Sequence, residues 1–341
     1  MDIVRIGLDL AKTTFSLCGV DEHEYIVLEK TLKRKDLLNY FATLSPCIVG
    51  MEAGSGAHHW SREMTKLGHC PRMMAPRFVA PYRRQGKAGK NDKNDARAIC
   101  EAAGRPDMNF VPQKTMTQQA ILAVHRIRTS HVAEHTKLSN QIRGLLAEFG
   151  VVIPKGVNRL RKDWVLLRQQ YHEAIPELAW EELAMLYQRF MELHLIILSY
   201  DRKINAFVRD DERCQRLMQL NGIGPITASA VVATVGDASV FRNGRQFAAW
   251  LGLVPRQYTT GGRPRLGRIS KQGDVYLRTL LIHGARNELM YTAKRTDSKS
   301  RWAERLKQAK SWNKASVALA NKHARLIWAI LTKGDNFIPV H

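Results

Sequence analysis

Negative charge is what this chain has least of: 31 Asp+Glu stand against 53 Lys+Arg in 341 residues, a formal net charge of +22 and a pI near 10.1. So large an excess points to a polyanionic partner, nucleic acid first and an anionic membrane face second. Apolar runs are short. No stretch approaches the roughly 20 apolar residues that span a bilayer. The opening MDIVRIGLDL lacks a basic segment followed by a long apolar run, so neither a membrane span nor a signal peptide is expected. Cysteine is sparse and scattered: Cys18, Cys47, Cys70, Cys100 and Cys214 contain no Cys-x-x-Cys pair. That spacing argues against a zinc knuckle or a disulfide framework and fits reduced thiols in a cytoplasmic protein. Internal repeats and low-complexity tracts are absent too. What is present, 45% hydrophobic and 8% aromatic residues, is ordinary for a folded protein and sufficient for two or three compact units.

Residues 3 to about 100 alternate between strand and helix patterns. Ile3-Val4-Arg5-Ile6-Gly7-Leu8-Asp9 is a short apolar strand ending in an acid, and Cys47-Ile48-Val49-Gly50-Met51-Glu52 is a second one. Residues 14–20 and 25–32 read as an antiparallel meander. Helices are expected over 36–43, 58–67 and from Asn91 onward, with a strand near 71–74. Residues 115–150 carry apolar side chains at three- and four-residue spacings (Ile121, Val124, Ile127, Val132, Leu138, Ile142, Leu145, Phe149). That is a helix of roughly 50 Å, closed by Gly150 and Pro154. A second helical stretch over 176–209 suggests an antiparallel coiled-coil arm or dimerisation element, with an ordinary helical bundle equally open. A mostly helical third part follows, interrupted by a Gly- and Arg-rich loop at 255–273. The expected division is therefore 1–110, 111–210 and 211–341.

The chemistry lies in four carboxylates. Ligands of α/β sheets gather beyond the carboxyl ends of the strands, where Asp9 and Glu52 both fall, and parallel pairing of their strands would bring them together. Asp92 and Asp95, three apart at a helix start, share one face. Singly, each acid has a plain explanation, as an N-cap, a first-turn dipole partner or a surface group. Jointly they are a donor set for two divalent cations, and crowded carboxylates need such cations to stay ionised. Beside them residues 72–97 are densely basic, with Arg83, Arg84, Lys87 and Lys90 just before the second acid pair. Phosphates drawn there would arrive beside the metal, and Phe78 and Tyr82 could stack on bases.

Ile6-Gly7-Leu8-Asp9-Leu10-Ala11-Lys12, Met51-Glu52-Ala53-Gly54-Ser55-Gly56 and Lys90-Asn91-Asp92-Lys93-Asn94-Asp95-Ala96-Arg97 together resemble the DEDD-type transposases of insertion sequences, also described as bridge-RNA-guided recombinases. The last third adds Gly222-Ile223-Gly224, residues 245–250, Gly252-Leu253-Val254-Pro255-Arg256 and Arg268-Ile269-Ser270-Lys271-Gln272-Gly273. It looks closest to the subgroup whose last motif reads near RLGRISK. The resemblance implies an RNase H-like, RuvC-like N-terminal domain holding Mg²⁺, or Mn²⁺ in its place, through Asp9, Glu52, Asp92 and Asp95. It also implies action on donor and target DNA, a noncoding guide RNA, and a homodimer or tetramer with composite active sites, cytoplasmic and nucleoid-associated. Ile6 to Thr13 also looks like the first phosphate loop of actin-like ATPases and sugar kinases, but the second Gly-rich loop and the adenosine motif of those proteins are missing.

Two further segments bear on DNA. Residues 217–228, with Gly222 and Gly224, resemble a helix–hairpin–helix, whose turn glycines let backbone amides approach a phosphate. In the loop at 255–273, Arg256, Arg263, Arg265, Arg268 and Lys271 are phosphate-binding candidates. There the family resembled carries a nucleophilic serine after the Pro-Arg block, and this chain has Thr260 at that place. The extra methyl crowds an in-line approach, so three outcomes stay open: Thr260 serves, Thr259 or Ser270 replaces it, or strand transfer is impaired. The expectation is a metal-dependent transposase that cleaves and rejoins DNA under RNA guidance. A structure-specific junction nuclease and a non-enzymatic nucleic-acid-binding protein are the alternatives.

Overall fold

A computed structural model describes residues 2–83, 91–260 and 262–334. They fall into two compact units, residues 1–115 and 116–341. In the first, strands β1 (Arg5–Leu10), β2 (Thr14–Val20) and β3 (Ile26–Lys33) are followed by helix α1 (Leu37–Ala42), strand β4 (Ile48–Glu52), helix α2 (Ala57–Lys66) and strand β5 (Cys70–Met74). Short helix α3 (Pro76–Val79), helix α4 (Asp92–Ala103) and the two-residue strand β6 (Phe110–Val111) complete it. The sheet order is β3-β2-β1-β4-β5-β6. β1 runs antiparallel to β2 and parallel to β4, which is parallel to β5. The parallel pairs form because helices cross between those strands, whereas β1 to β3 are joined by short turns. Ile6, Leu8, Val49 and Met51 of the central strands are fully buried, and they share one core with Phe15, Leu37, Phe41, Trp60 and Met64.

Among the described residues the second unit is helical except for one hairpin. Helices α5 (Met116–Glu148), α6 (Val157–Tyr171) and α7 (Glu177–Asp210) come first. α5 and α7 pair in antiparallel fashion: Arg128 reaches Asp201 at 2.7 Å, and Glu134, further along α5, meets the earlier Arg189 of α7 at 3.2 Å. Sequence periodicity gives both helices but no element between them. α6 exists because the far end of the pair needs a cap: its Leu160 and Trp164 close over Ile142, Leu146, Trp180 and Phe190. Short α8 (Glu212–Met218), α9 (Pro225–Val235), α10 (Gly244–Trp250), α11 (Val275–Leu289), α12 (Ser298–Ala309) and α13 (Trp312–Lys333) form the remainder. Ile121 of α5 and Ile204 and Val208 of α7 join their core. Residues 255–269, expected as loop, are strands β7 (Pro255–Thr260) and β8 (Arg263–Ile269), paired antiparallel. Among the described residues no helix is long and apolar enough to cross a membrane.

Candidate active site

Backbone register does most of the positioning. Leu8 stands opposite Met51 in the parallel pair, so the next residues, Asp9 and Glu52, come side by side at the carboxyl ends of the two strands. Two positions earlier in that register Gly7 faces Gly50, and together they form a track without side chains on which α4 lies. A β-carbon at Gly7 would collide with the Ala96 carbonyl and the Cys100 amide, and one at Gly50 would come 2.6 Å from the Ala103 β-carbon. Close approach is therefore what these glycines serve, and it carries the first turn of α4 over the strand ends. The helix start is set by Asn91, whose side chain accepts from the Asn94 amide at 2.8 Å. Because Asn91 takes the capping role, Asp92 at the first helical position and buried Asp95 are left to the site. Both also sit favourably at the positive end of the helix dipole.

Asp9 feels the charge of the other three acids. Asp9, half-buried, has its carboxyl raised to about 6, first by burial and then by the charges of Asp95, Asp92 and Glu52, with Arg83 partly offsetting them. Arg83 lies inside the cluster: its Nε donates to Asp95 Oδ1 at 2.7 Å and its Nη2 to Glu52 Oε1 at 2.6 Å. The residue follows a short turn, Ala80–Tyr82, anchored by Val79 packing against Met74, Ile99 and Ala102. Among the described residues no three His, Cys, Asp or Glu side chains converge at metal-ligand spacing; Glu52 and Asp95 are turned onto the guanidinium. The donor chemistry nonetheless suits a hard divalent cation: carboxylate oxygens in mutual repulsion, with Arg83 as a counter-charge among them.

Of the other candidates, Arg84, Lys87 and Lys90 lie outside the described residues. Phe78 and Tyr82 are engaged within the unit, beneath Arg77 at 4.7 Å and Arg105 at 5.5 Å. Gly222 does adopt a left-handed conformation (φ 85°), but its bare face is pressed against α11, where a β-carbon would lie 2.7 Å from the Gly284 carbonyl oxygen. It is a packing glycine. Gly224, at the start of α9, has open space around it.

On the hairpin, Arg256, Arg263, Arg265 and Arg268 are all exposed, as a polyanion-binding ribbon requires. Thr260 ends β7 opposite Arg263. Thr259 is exposed, its hydroxyl accepting from Gln257 Nε2 at 3.0 Å. Ser270 closes the hairpin base, with its amide on the Val254 carbonyl and its own carbonyl accepting from Arg256. Lys271 there has a positive φ of 55°. Arg278, a further cation of this region, is buried and donates to the Leu251 carbonyl at 3.1 Å, so it braces the hairpin base instead of facing a ligand. Sequence reasoning missed Gly7 and Gly50, whose signal was a glycine at matching places in two apolar strands.

A basic protein with a carboxylate cluster at its strand ends and a cationic ribbon has the parts of an enzyme that works on nucleic acid. A family model described as a transposase, that of the DEDD transposases of the IS110 group, matches residues 6–150. A second, described as the transposase IS116/IS110/IS902 family, matches residues 214–301. Among curated proteins, a "Probable family 20 transposase" of Pseudomonas aeruginosa is 49% identical over 99% of this chain and 100% of its own length. The transposase for insertion sequence element IS1111A of Coxiella burnetii is 40% identical over 98% of this chain and 92% of its own. That for IS1328 of Yersinia enterocolitica is 38% identical over 98% and 99%. This chain belongs to the IS116/IS110/IS902 family of transposases, enzymes that cleave and rejoin DNA.

Proposed function

We propose that the chain catalyses Mg²⁺-dependent strand cleavage and rejoining for an insertion sequence, with an RNase H-like first unit as its metal-binding half. The strand order, with the first three strands antiparallel and the next two parallel to the first, supports that fold. Asp9, Glu52, Asp92 and Asp95 would hold the ions, and the shared field that lifts Asp9 is the observation that carries the reading. Bound divalent cations supply charge neutralisation at the phosphate and lower the pKa of the attacking oxygen.

The chain's own residues do the rest. Asp9 is ionised above about pH 6, so at neutral pH it is ready as a ligand or proton acceptor. The exposed arginines of the β7–β8 ribbon position the backbone without reading sequence. The hydroxyl of Thr260, with Thr259 and Ser270 as alternates, attacks phosphorus: one P–O ester bond to DNA forms, one breaks, and the departing strand end takes up a proton. A second transfer, from protein to another strand end, releases the hydroxyl. In this reading α5 and α7 join protomers into a homodimer or tetramer. A noncoding guide RNA selects the donor and target sites, and the enzyme works at the nucleoid. The expected domain division is 1–110 for metal chemistry, 111–210 for assembly and 211–341 for the hydroxyl ribbon. Asp9→Asn and Asp92→Asn should each abolish breakage of end-labelled element DNA in Mg²⁺, and Thr260→Ala should remove the covalent protein–DNA adduct. Undiminished breakage by either acid variant would sink the reading, and sequencing RNA co-purified with the protein tests the guide.

A further inference from the structure

We propose that Arg83 is an exchangeable counter-ion that couples cation uptake at the acidic site to phosphate binding. The inference rests on the metal reading above. Its guanidinium holds one oxygen from each of two elements, Glu52 at the end of β4 and Asp95 in the first turn of α4. Those are oxygens a divalent cation would also require, so the two occupants compete. Arg83 is also the positive charge that eases the repulsion on Asp9. If it left without replacement, Glu52 and Asp95 would each lose a charge-assisted hydrogen bond and the repulsion on Asp9 would rise, and that cost ties departure to arrival. The local backbone permits the exchange. Arg83 follows the Ala80–Tyr82 turn in an extended conformation (φ −70°, ψ 129°), and its side chain is 35% exposed. Its amide stays on the Ala80 carbonyl at 3.2 Å, so the guanidinium can swing away without breaking a helix. A phosphodiester offers two anionic non-bridging oxygens that one guanidinium can bind together, replacing the two carboxylate oxygens it would leave. Nucleic acid and cation therefore assist each other's binding, reciprocally as linkage demands.

The test measures Mn²⁺ affinity of the full chain by electron paramagnetic resonance of free Mn²⁺, with and without a short DNA duplex. Without DNA, Arg83→Gln should bind Mn²⁺ about tenfold tighter than wild type, because two charge-assisted hydrogen bonds no longer compete. The duplex should tighten Mn²⁺ binding several-fold more in wild type than in the variant. If Arg83→Gln does not fold, Arg83→Lys, which can keep one contact at a time, should show a gain of about threefold. Wild-type Mn²⁺ binding with equal or weaker affinity in the variants overturns the role of Arg83 alone. Failure of every protein to bind Mn²⁺ overturns the metal reading and this inference with it.

Discussion

Two clusters of charge, one in each unit, show how differently a fold can treat a buried carboxylate. In the second unit Glu288 of α11 is fully buried, yet its Oε2 accepts from His323 Nε2 at 2.7 Å and its Oε1 lies 2.8 Å from Lys299 Nζ. Burial pushes its pKa up, but those partners prevail and hold it below the usual carboxylate range. In the first unit Asp9 is less buried and shifts the other way, first because burial is not answered by a close partner of its own among the described residues and then because Asp95, Asp92 and Glu52 add like charge that Arg83 only partly offsets. A carboxylate that is answered locks α11, α12 and α13 together. One left in like-charged company is in tension with stability, and that tension marks the site where binding can do work.

The contrast can be broken at its structural end with the largest effect. Glu288→Ala should destabilise by about 3–5 kcal/mol, since it strands buried Lys299 without a counter-charge; an unchanged urea midpoint would show the pairing to be dispensable. Gly7→Ala comes next. A methyl in the β1–α4 contact should cost about 1–3 kcal/mol or more and displace Asp95 from Asp9, so cleavage should fall even where folding survives, as single-turnover kinetics would show. The smallest effect has the opposite sign. Asp9 has its folded-state pKa raised from 3.8 to about 6, so the folded state holds more protons between those values and Asp9 costs stability as pH rises through them. Asp9→Asn in EDTA should therefore stabilise the fold at pH 7.5 by about 1–2 kcal/mol, after allowing for solvent screening. The gain should vanish near pH 3.5. Equal melting temperatures at pH 7.5 would mean that neither burial nor the neighbouring acids penalise the Asp9 charge.

Much of the first unit was legible because strand periodicity and the two terminal acids are local features. The strand ends at Asp9 and Glu52 and the helix bearing Asp92 and Asp95 lie within a residue or so of where pattern places them. The long helices were legible for the same reason, but their seam was not. α5 buries His125, His135 and Ser139 beside Ile121, Ile142 and Leu146, while Ile127, Leu145 and Phe149 are exposed. His125 is tolerated there because Tyr276 and Ser229 satisfy its ring nitrogens at 3.0 Å each, partners more than a hundred residues away. α6 escaped because its reason for existing is the open end of another helix pair. The β7–β8 hairpin escaped because Gly and Arg are weak strand signals, and its base is held by contacts from α10 and α11.

From the order of its amino acids alone, this protein settled its charge, its alternating first unit and the placing of four acids at two strand ends and one helix start. Those depend on neighbours within a few positions, which composition and periodicity report directly. Tertiary structure alone decided that two facing glycines would let α4 onto the sheet, that Gly222 would serve packing, and that Arg83 would stand among the acids. Each of these is a contact between distant segments, whose energy exists only once the chain has closed on itself.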